Sequence, residues 1–248
     1  MKISIVTAAY NSAATIKDTI DSVLSQDYPD IEYIVADGGS KDGTVEILKT
    51  YGDKIKWVSE KDNGIYEAMS KGVKMATGHA VGIIGADDFY PNNQVISKVA
   101  KAFQESKADS VYGDLYYIDA VDTNKIVRSW KSGKYDRNRF LNGWMPPHTA
   151  FFLTKAAYDT YGLYDTSYRS AGDYELMLRM LYRHKLSSHY IPEVLMNMRV
   201  GGSSNASLKN RIRANKEDRR AWVDNGIEPR WYTLYAKPLS KIFQWILK

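Results

Sequence analysis

The sequence predicts an α/β protein: a mostly parallel, mixed sheet flanked by helices, with a helical extension at the C-terminus. Two observations carry that prediction. In the first half, short apolar runs alternate with stretches whose apolar residues recur every three or four positions, which is the pattern of βαβ units with right-handed crossovers. Beyond residue 108 the runs lengthen and are separated by turn residues such as "DTNK", which adds antiparallel strands.

Taken in order, "KISIVTAAY" reads as the first strand, and Ile16, Ile20, Val23 and Leu24 fall on one face of a helix. "IEYIVADGG" is a second strand closed by glycines, "DGTVEILKTY" a short helix and "KIKWVSEKD" a third strand. Ile65, Met69, Val73 and Ala76 give another helical stripe ended by Gly78, and "AVGIIGA" is the fourth strand. In the second half, "DSVYGDLYYID" and "KIVRSW" read as strands around a turn, and "HTAFFLT" as a further strand. "DYELMLRMLYRH" is an amphipathic helix with Leu176, Met180 and Leu181 inward, and "SHYIPEVLMNMRV" is extended. A basic helix from Ser207 to Asn225 and the aromatic tail "RWYTLYAKPLSKIFQWILK" follow.

Composition bounds the function without naming it. The chain has 248 residues, 44% of them hydrophobic, enough for one sizeable core. Its formal charge of +5 favours anionic partners in general and singles out no nucleic acid. The absence of cysteine excludes disulfides, thiolate metal sites and a cysteine nucleophile, and fits a reducing compartment. "MKISIVTAAY" lacks the long apolar region of a signal peptide, and no run approaches the ~20 apolar residues of a membrane span. A cytoplasmic protein is expected.

The acids are placed where an open α/β sheet binds its ligands, beyond the carboxyl ends of the strands. Asp37 ends the second strand, Asp62 the third, and Asp87 with Asp88 the fourth. Single aspartates at strand ends are commonly turn formers or caps, the reading preferred for Asp30 and Asp42. The pair is different, because two adjacent carboxylates repel each other and resist desolvation. A divalent cation relieves that repulsion, and oxygen ligands of this kind suit Mg²⁺ or Mn²⁺ shared with substrate phosphates. There is no GxxxxGK[ST] motif, and the first turn, "TAAYNSAAT", has no glycine, so neither a P-loop nor a dinucleotide fingerprint is present. Several strand-end aspartates with a metal pair fit a nucleoside-diphosphate ligand.

At these residues the chain resembles the family 2 glycosyltransferases, inverting enzymes of the GT-A fold, and is similar to those of bacterial surface-polysaccharide assembly. "ISIVTAAYNSAATIKDTIDSVLSQDYPDIEYIVADGGSKDGT" resembles the family's opening, and "DNGIYEAMSKGVKMATGHAVGIIGADD" its approach to the metal motif. The resemblance implies that Thr7, Ala8 and Tyr10 line the nucleotide pocket, that Asp37 contacts base or ribose, and that Asp62 lies near the nucleoside. It implies that Asp87 and Asp88 hold ribose and metal, with Asp88 the preferred direct ligand, and that Asp173 in "AGDYELML" deprotonates the acceptor. It further implies a GT-A-like domain over 1–205, divided into a nucleotide-sugar half (1–107) and an acceptor half (108–205), followed by an extension over 206–248. Two positions depart from the pattern: Gly85 stands where an aspartate is common, and Ser70 where an asparagine is. Beyond residue 108 the resemblance is confined to "PPHTAFF", "GDYELML" and "RVGGSS".

Other residues carry readings of their own. Asp173 precedes "YELML", so it is also a good helix N-cap. His148 follows two prolines and is a candidate for acceptor, phosphate or metal, or a structural loop histidine. Arg199 precedes the glycines of "VGGSS" and is a candidate for the diphosphate or for a salt bridge. Trp130 and Trp144 are candidates for an acceptor platform, with core packing as the alternative. The basic run Lys209, Arg211, Arg213, Lys216, Arg219 and Arg220, with the tail aromatics Trp231, Tyr232, Tyr235, Phe243 and Trp245, suits an anionic membrane surface, a polyprenyl-linked acceptor, or self-association into a homo-oligomer. The expected function is transfer of a sugar from a nucleotide-diphospho-sugar, UDP above others, to a glycan or lipid-linked saccharide. A sugar-1-phosphate nucleotidyltransferase is the rival enzyme, but it needs a glycine-rich basic loop after the first strand. A non-catalytic carbohydrate-binding subunit is the other rival, and it would be marked by loss of the acids.

Overall fold

The structure, a computed structural model, describes residues 1–201, 208–230 and 232–233, the side chains of 208–212 excepted. Gly202, Ser203 and Ser204, the side chains of Lys209 and Arg211, and Trp231, Tyr235, Phe243 and Trp245 lie outside the described residues. The membrane-surface and self-association readings of the tail therefore fall mainly outside them too.

The chain runs β1 (Ile3–Ala9), α1 (Ile16–Leu24), β2 (Ile31–Asp37), α2 (Thr44–Thr50), β3 (Lys56–Ser59), α3 (Ile65–Met75), β4 (Ala80–Gly85) and α4 (Val95–Ser106). It continues with β5 (Ser110–Ile118), β6 (Ile126–Trp130), β7 (Phe151–Thr154), α5 (Lys155–Tyr161), α6 (Gly172–Met177), β8 (Ser188–Arg199) and α7 (Leu208–Asp224). One eight-stranded sheet has the order β3-β2-β1-β4-β7-β5-β6, with β8 paired to β5. β1 to β4 are parallel, β7 enters antiparallel between β4 and β5, and β6 lies antiparallel on β5. β8 is parallel to β5, where the sequence suggested a more antiparallel second half, and bulges interrupt the pairing.

Strand alternation sorts the core into two layers. Ile3, Ile5, Val35 and Ile84 pack with Ile16, Ile20, Leu48, Val99 and Phe103 from α1, α2 and α4. Val6, Ile34, Val81 and Ile83 pack with Met69 and Val73 of α3 on the other face. Both faces are covered, which is why the parallel strands read as continuous apolar runs. Each buried Ile or Val contributes roughly 1.5–3 kcal/mol over an exposed one.

Three local features differ from expectation. The inward stripe of α3 starts at Tyr66 (6% exposed), one residue after Ile65, which is 49% exposed. α4 was not expected, although Ile96, Val99, Ala100 and Phe103 carry its stripe. The "DYELMLRMLYRH" helix begins as α6 and widens to a π-type turn over Leu178–Arg183, with Leu176, Met180 and Leu181 buried as expected. Among the described residues no helix is long and apolar enough to cross a membrane.

Candidate active site

Pairing register brings the strand ends level: Ala9 lies opposite Asp37, Ala8 opposite Gly85, and Asp37 opposite Ser59. The acids that follow β2, β3 and β4 therefore share one edge of the sheet.

Asp37 is 2% exposed. Its Oδ2 accepts from the backbone N–H of Gly39 and Ser40, each at 3.0 Å, and from Ser59 Oγ at 2.6 Å, while Oδ1 accepts from Ser40 Oγ. The carboxylate thus shapes the loop after β2. That loop is joined to the loop after β1, since Asn11 N–H donates to Ser40 Oγ (2.8 Å) and Lys41 N–H to Asn11 Oδ1 (3.0 Å). Asp42 accepts from Thr44 N–H at 3.1 Å and Ala13 N–H at 2.9 Å, the turn-and-cap role read from its position. Asp62 accepts from Gly64 N–H at 3.0 Å. Burial pushes its carboxyl up, and Gly64 N–H and Lys71 offset only part of that. Thr7 is fully buried with its hydroxyl on Tyr33 (2.9 Å), whereas Tyr10 is 66% exposed beside half-buried Ala8.

The acid pair is arranged around a bare backbone. A Cβ at Gly85 would lie 2.7 Å from Asp88 Oδ2 and 3.0 Å from Asp87 Oδ1, so both carboxylates reach the same spot over β4's last residue. Asp88 is 2% exposed. Burial, and then the charge of Asp87, push its carboxyl well above the carboxylate range, against the opposing bond from Arg199 N–H. Two carboxylate oxygens converging in a low-dielectric recess suit a small divalent cation. Among the described residues no group of three or more His, Cys, Asp or Glu side chains is placed to hold a metal ion. A cation held there would have these two carboxylates as protein ligands and would need its further positions filled by phosphate and water, as Mg²⁺ and Mn²⁺ commonly do.

Arg199 is committed to the protein. Its Nη1 donates to Asp87 O (2.6 Å), its Nη2 pairs with Asp18 of α1 (2.6 Å), and its backbone N–H donates to Asp88 Oδ1 (3.2 Å). The end of β8 reaches this turn because Phe89 and Asn197 exchange backbone hydrogen bonds of 3.1 and 3.0 Å. The salt-bridge alternative describes Arg199's surroundings.

The second half brings another set of groups to the same edge. Asp173 is not the N-cap of α6; that position is Ala171, without a side-chain cap. Glu217 of α7 braces the segment ahead of the helix, accepting from the backbone N–H of Arg169 (3.1 Å), Ser170 (2.7 Å) and Ala171 (2.9 Å). α7 is anchored there by fully buried Trp222, whose Nε1 donates to Tyr174 Oη at 3.0 Å. The Asp173 carboxylate accepts from the hydroxyl of Tyr66 at 3.3 Å. His148 Nε2 and Tyr164 Oη are 2.7 Å apart; burial lowers the His148 pKa, opposed by the charge of Asp173.

The two tryptophans separate. Trp144 donates to Ser132 O (2.9 Å) and packs edge-on against Tyr112 and Phe140, the core reading. Trp130 stacks on Tyr117 with rings 5° from parallel, and Arg128 covers the Tyr117 ring at 3.7 Å. Burial raises the Tyr117 pKa, the Arg128 guanidinium opposes that rise, and the charges of Asp88 and Asp173 add to it. Tyr117, Arg128 and Tyr66 were not singled out from sequence. For Tyr66 the signal was its place in the α3 stripe.

Comparison with known proteins shows the family and the fold. The family described as "Glycosyl transferase family 2" matches residues 4–162. A "PGL/p-HBAD biosynthesis glycosyltransferase" of Mycobacterium tuberculosis is 31% identical over 212 residues, spanning 82% of this chain and 78% of its own. An uncharacterized glycosyltransferase of Rickettsia typhi is 27% identical over 205 residues, 80% of this chain and 64% of its own. Among solved structures, S. aureus TarS 1-349 in complex with UDP-GlcNAc aligns with a TM-score of 0.66 at 17% identity, covering 99% of this chain and 79% of that one. Mannosyltransferase PcManGT from Pyrobaculum calidifontis, in complex with GDP-Man and Mn²⁺, aligns with a TM-score of 0.68 at 16% identity, covering 97% and 73%. The likeness to solved structures shows the fold, and the family match shows the rest: this chain belongs to glycosyl transferase family 2 and is a glycosyltransferase of the GT-A fold.

Proposed function

We propose that the protein transfers a sugar, with inversion, from a UDP-sugar to a glycan or lipid-linked saccharide, with Mn²⁺ or Mg²⁺ held at Asp87 and Asp88. The observation that carries the reading is the convergence of Asp87 Oδ1 and Asp88 Oδ2 over Gly85. With Asp88 Oδ1 engaged by Arg199 N–H, Oδ2 is the oxygen available to a cation, and Asp87 contributes Oδ1. A divalent cation there supplies Lewis-acid stabilisation of the departing diphosphate. Asp37 keeps the loop after β2 in shape, and Tyr10 and Asp62 stand at the same edge for the nucleoside. Arg199 serves the diphosphate indirectly, by fixing the backbone of Asp87 and Asp88.

Asp173 is the general base for the acceptor hydroxyl in this reading, and Trp130, on the side away from Tyr117, offers an aromatic face to a sugar ring. His148, whose lowered pKa favours the neutral ring, takes a supporting place on the acceptor side through Tyr164. The reading is supported by Glu217, which braces the backbone of Arg169, Ser170 and Ala171 ahead of Asp173, and by the Tyr66 hydroxyl, which donates to the Asp173 carboxylate.

The test is calorimetric titration of UDP and GDP with and without Mn²⁺, followed by hydrolysis of UDP-glucose, UDP-GlcNAc and GDP-mannose. Tight UDP binding only with Mn²⁺, and turnover of a UDP-sugar, is expected. UDP affinity indifferent to Mn²⁺ and to chelator contradicts the metal assignment, and GDP-mannose turnover in place of a UDP-sugar contradicts the nucleotide.

A further inference from the structure

We infer that Tyr66 is the positioning residue for Asp173, a clamp from the first half of the chain that fixes the carboxylate of the second. The inference rests on Asp173 being the base and goes beyond it by naming what aims that base.

Two contacts hold the clamp. The Tyr66 hydroxyl donates to Asp173 Oδ1 at 3.3 Å across 107 residues of sequence. Its ring lies on Gly172, where a Cβ would come within 2.9 Å of Cδ2 and Cε2, so any side chain at 172 displaces the ring. Gly172 and Asp173 open α6, where backbone N–H groups have no intrahelical acceptor. Glu217 takes the N–H groups of residues 169–171 and stops there. The N–H groups of Gly172 and Asp173 are close enough to act on the Tyr66 oxygen. Burial, then the charge of Asp173, push the Tyr66 hydroxyl well above the tyrosine range, so it remains a proton donor at every working pH.

The ring is itself fixed, stacked on Tyr164 with centroids 5.9 Å apart and planes 19° from parallel. The same two loops are tied once more outside the clamp, where Arg169 Nη1 donates to Asn63 O at 2.7 Å. Asn63 lies between Asp62 and Tyr66, so the loop that carries the nucleoside-side acid and the loop that carries the base are joined at two points.

Tyr66→Phe removes the hydroxyl and keeps the ring on Gly172. Amide hydrogen exchange on the full chain is expected to show loss of protection at Gly172 and Asp173, with Leu176 to Leu178 unchanged and the melting temperature retained. Unchanged exchange at both amides overturns the clamp. For turnover, the probe is hydrolysis of whichever of UDP-GlcNAc and GDP-mannose the wild type cleaves. Tyr66→Phe should lower kcat about ten- to a hundredfold, the range of a base displaced by an ångström or less, with KM within about twofold. In an Asp173→Asn background the same substitution should cost nothing, because the group it aims is gone. An equal loss in both backgrounds overturns the positioning role. Wild-type turnover by Asp173→Asn alone would instead remove Asp173 as base, and exchange would then read the contact by itself.

Discussion

At the scale of single residues, identity and environment divide the labour among the acids. Asp37 and Asp42 spend their oxygens on loop amides and hydroxyls, whereas Asp87 Oδ1 and Asp88 Oδ2 converge on the side of Gly85 where a Cβ would stand. A side chain at 85 would meet both carboxylates at 3.0 Å or less. Gly85→Ala is therefore a probe of the pair that removes neither acid. Its Mn²⁺-dependent UDP affinity is expected to fall about 10- to 100-fold, the usual cost of disturbing groups that orient metal ligands. Calorimetry showing wild-type affinity would mean that the two carboxylates do not act together.

At the scale of elements, the two edges of the sheet have opposite uses. The carboxyl edge carries the candidate site; the amino edge carries a carboxylate that holds strands together. Glu32 of β2 accepts from Ser4 Oγ (2.6 Å), Thr77 N–H (2.7 Å) and Thr77 Oγ1 (3.0 Å), and pairs with Lys56 (2.7 Å), joining β1, β2, β3 and the turn before β4. Burial alone would raise its pKa, but these bonds outweigh burial and bring it from 4.5 down to about 2. A depressed carboxylate stabilises the fold above its unfolded-state pKa, and that stability is lost as pH falls through the folded value. Glu32→Gln should cost about 3 kcal/mol at neutral pH, with the difference from wild type shrinking between pH 4.5 and 2. Urea melts at both ends of that window check it; a cost that does not change with pH would assign the loss to packing.

At the scale of the whole molecule, the sequence was most legible where local pattern and global fold agree. The four parallel strands, their crossover helices and the acids at their ends follow from alternation and helical stripes. The second half was less legible because its order depends on partners far away in sequence. Nothing near Arg199 indicates that Asp18 and the Asp87 carbonyl take its guanidinium. Nothing near Asp173 indicates that Glu217 takes the amides just ahead of its helix. β7 slips between β4 and β5, and β8 runs parallel to β5, choices set by sheet closure and not by the composition of either strand. Tyr66 was overlooked for a smaller reason, a one-residue shift in the inward face of α3.

These long-range contacts converge on one carboxylate. α3 brings Tyr66 to it, and Glu217 of α7 braces the segment ahead of its helix. The most direct test is the steady-state kinetics of Asp173→Asn, which keeps the shape of the side chain and removes the base. The account predicts that kcat falls about 10²- to 10⁴-fold, the usual contribution of general-base catalysis, while the sugar-donor KM and the melting temperature stay at wild-type values. Transfer at the wild-type rate by Asp173→Asn would contradict it.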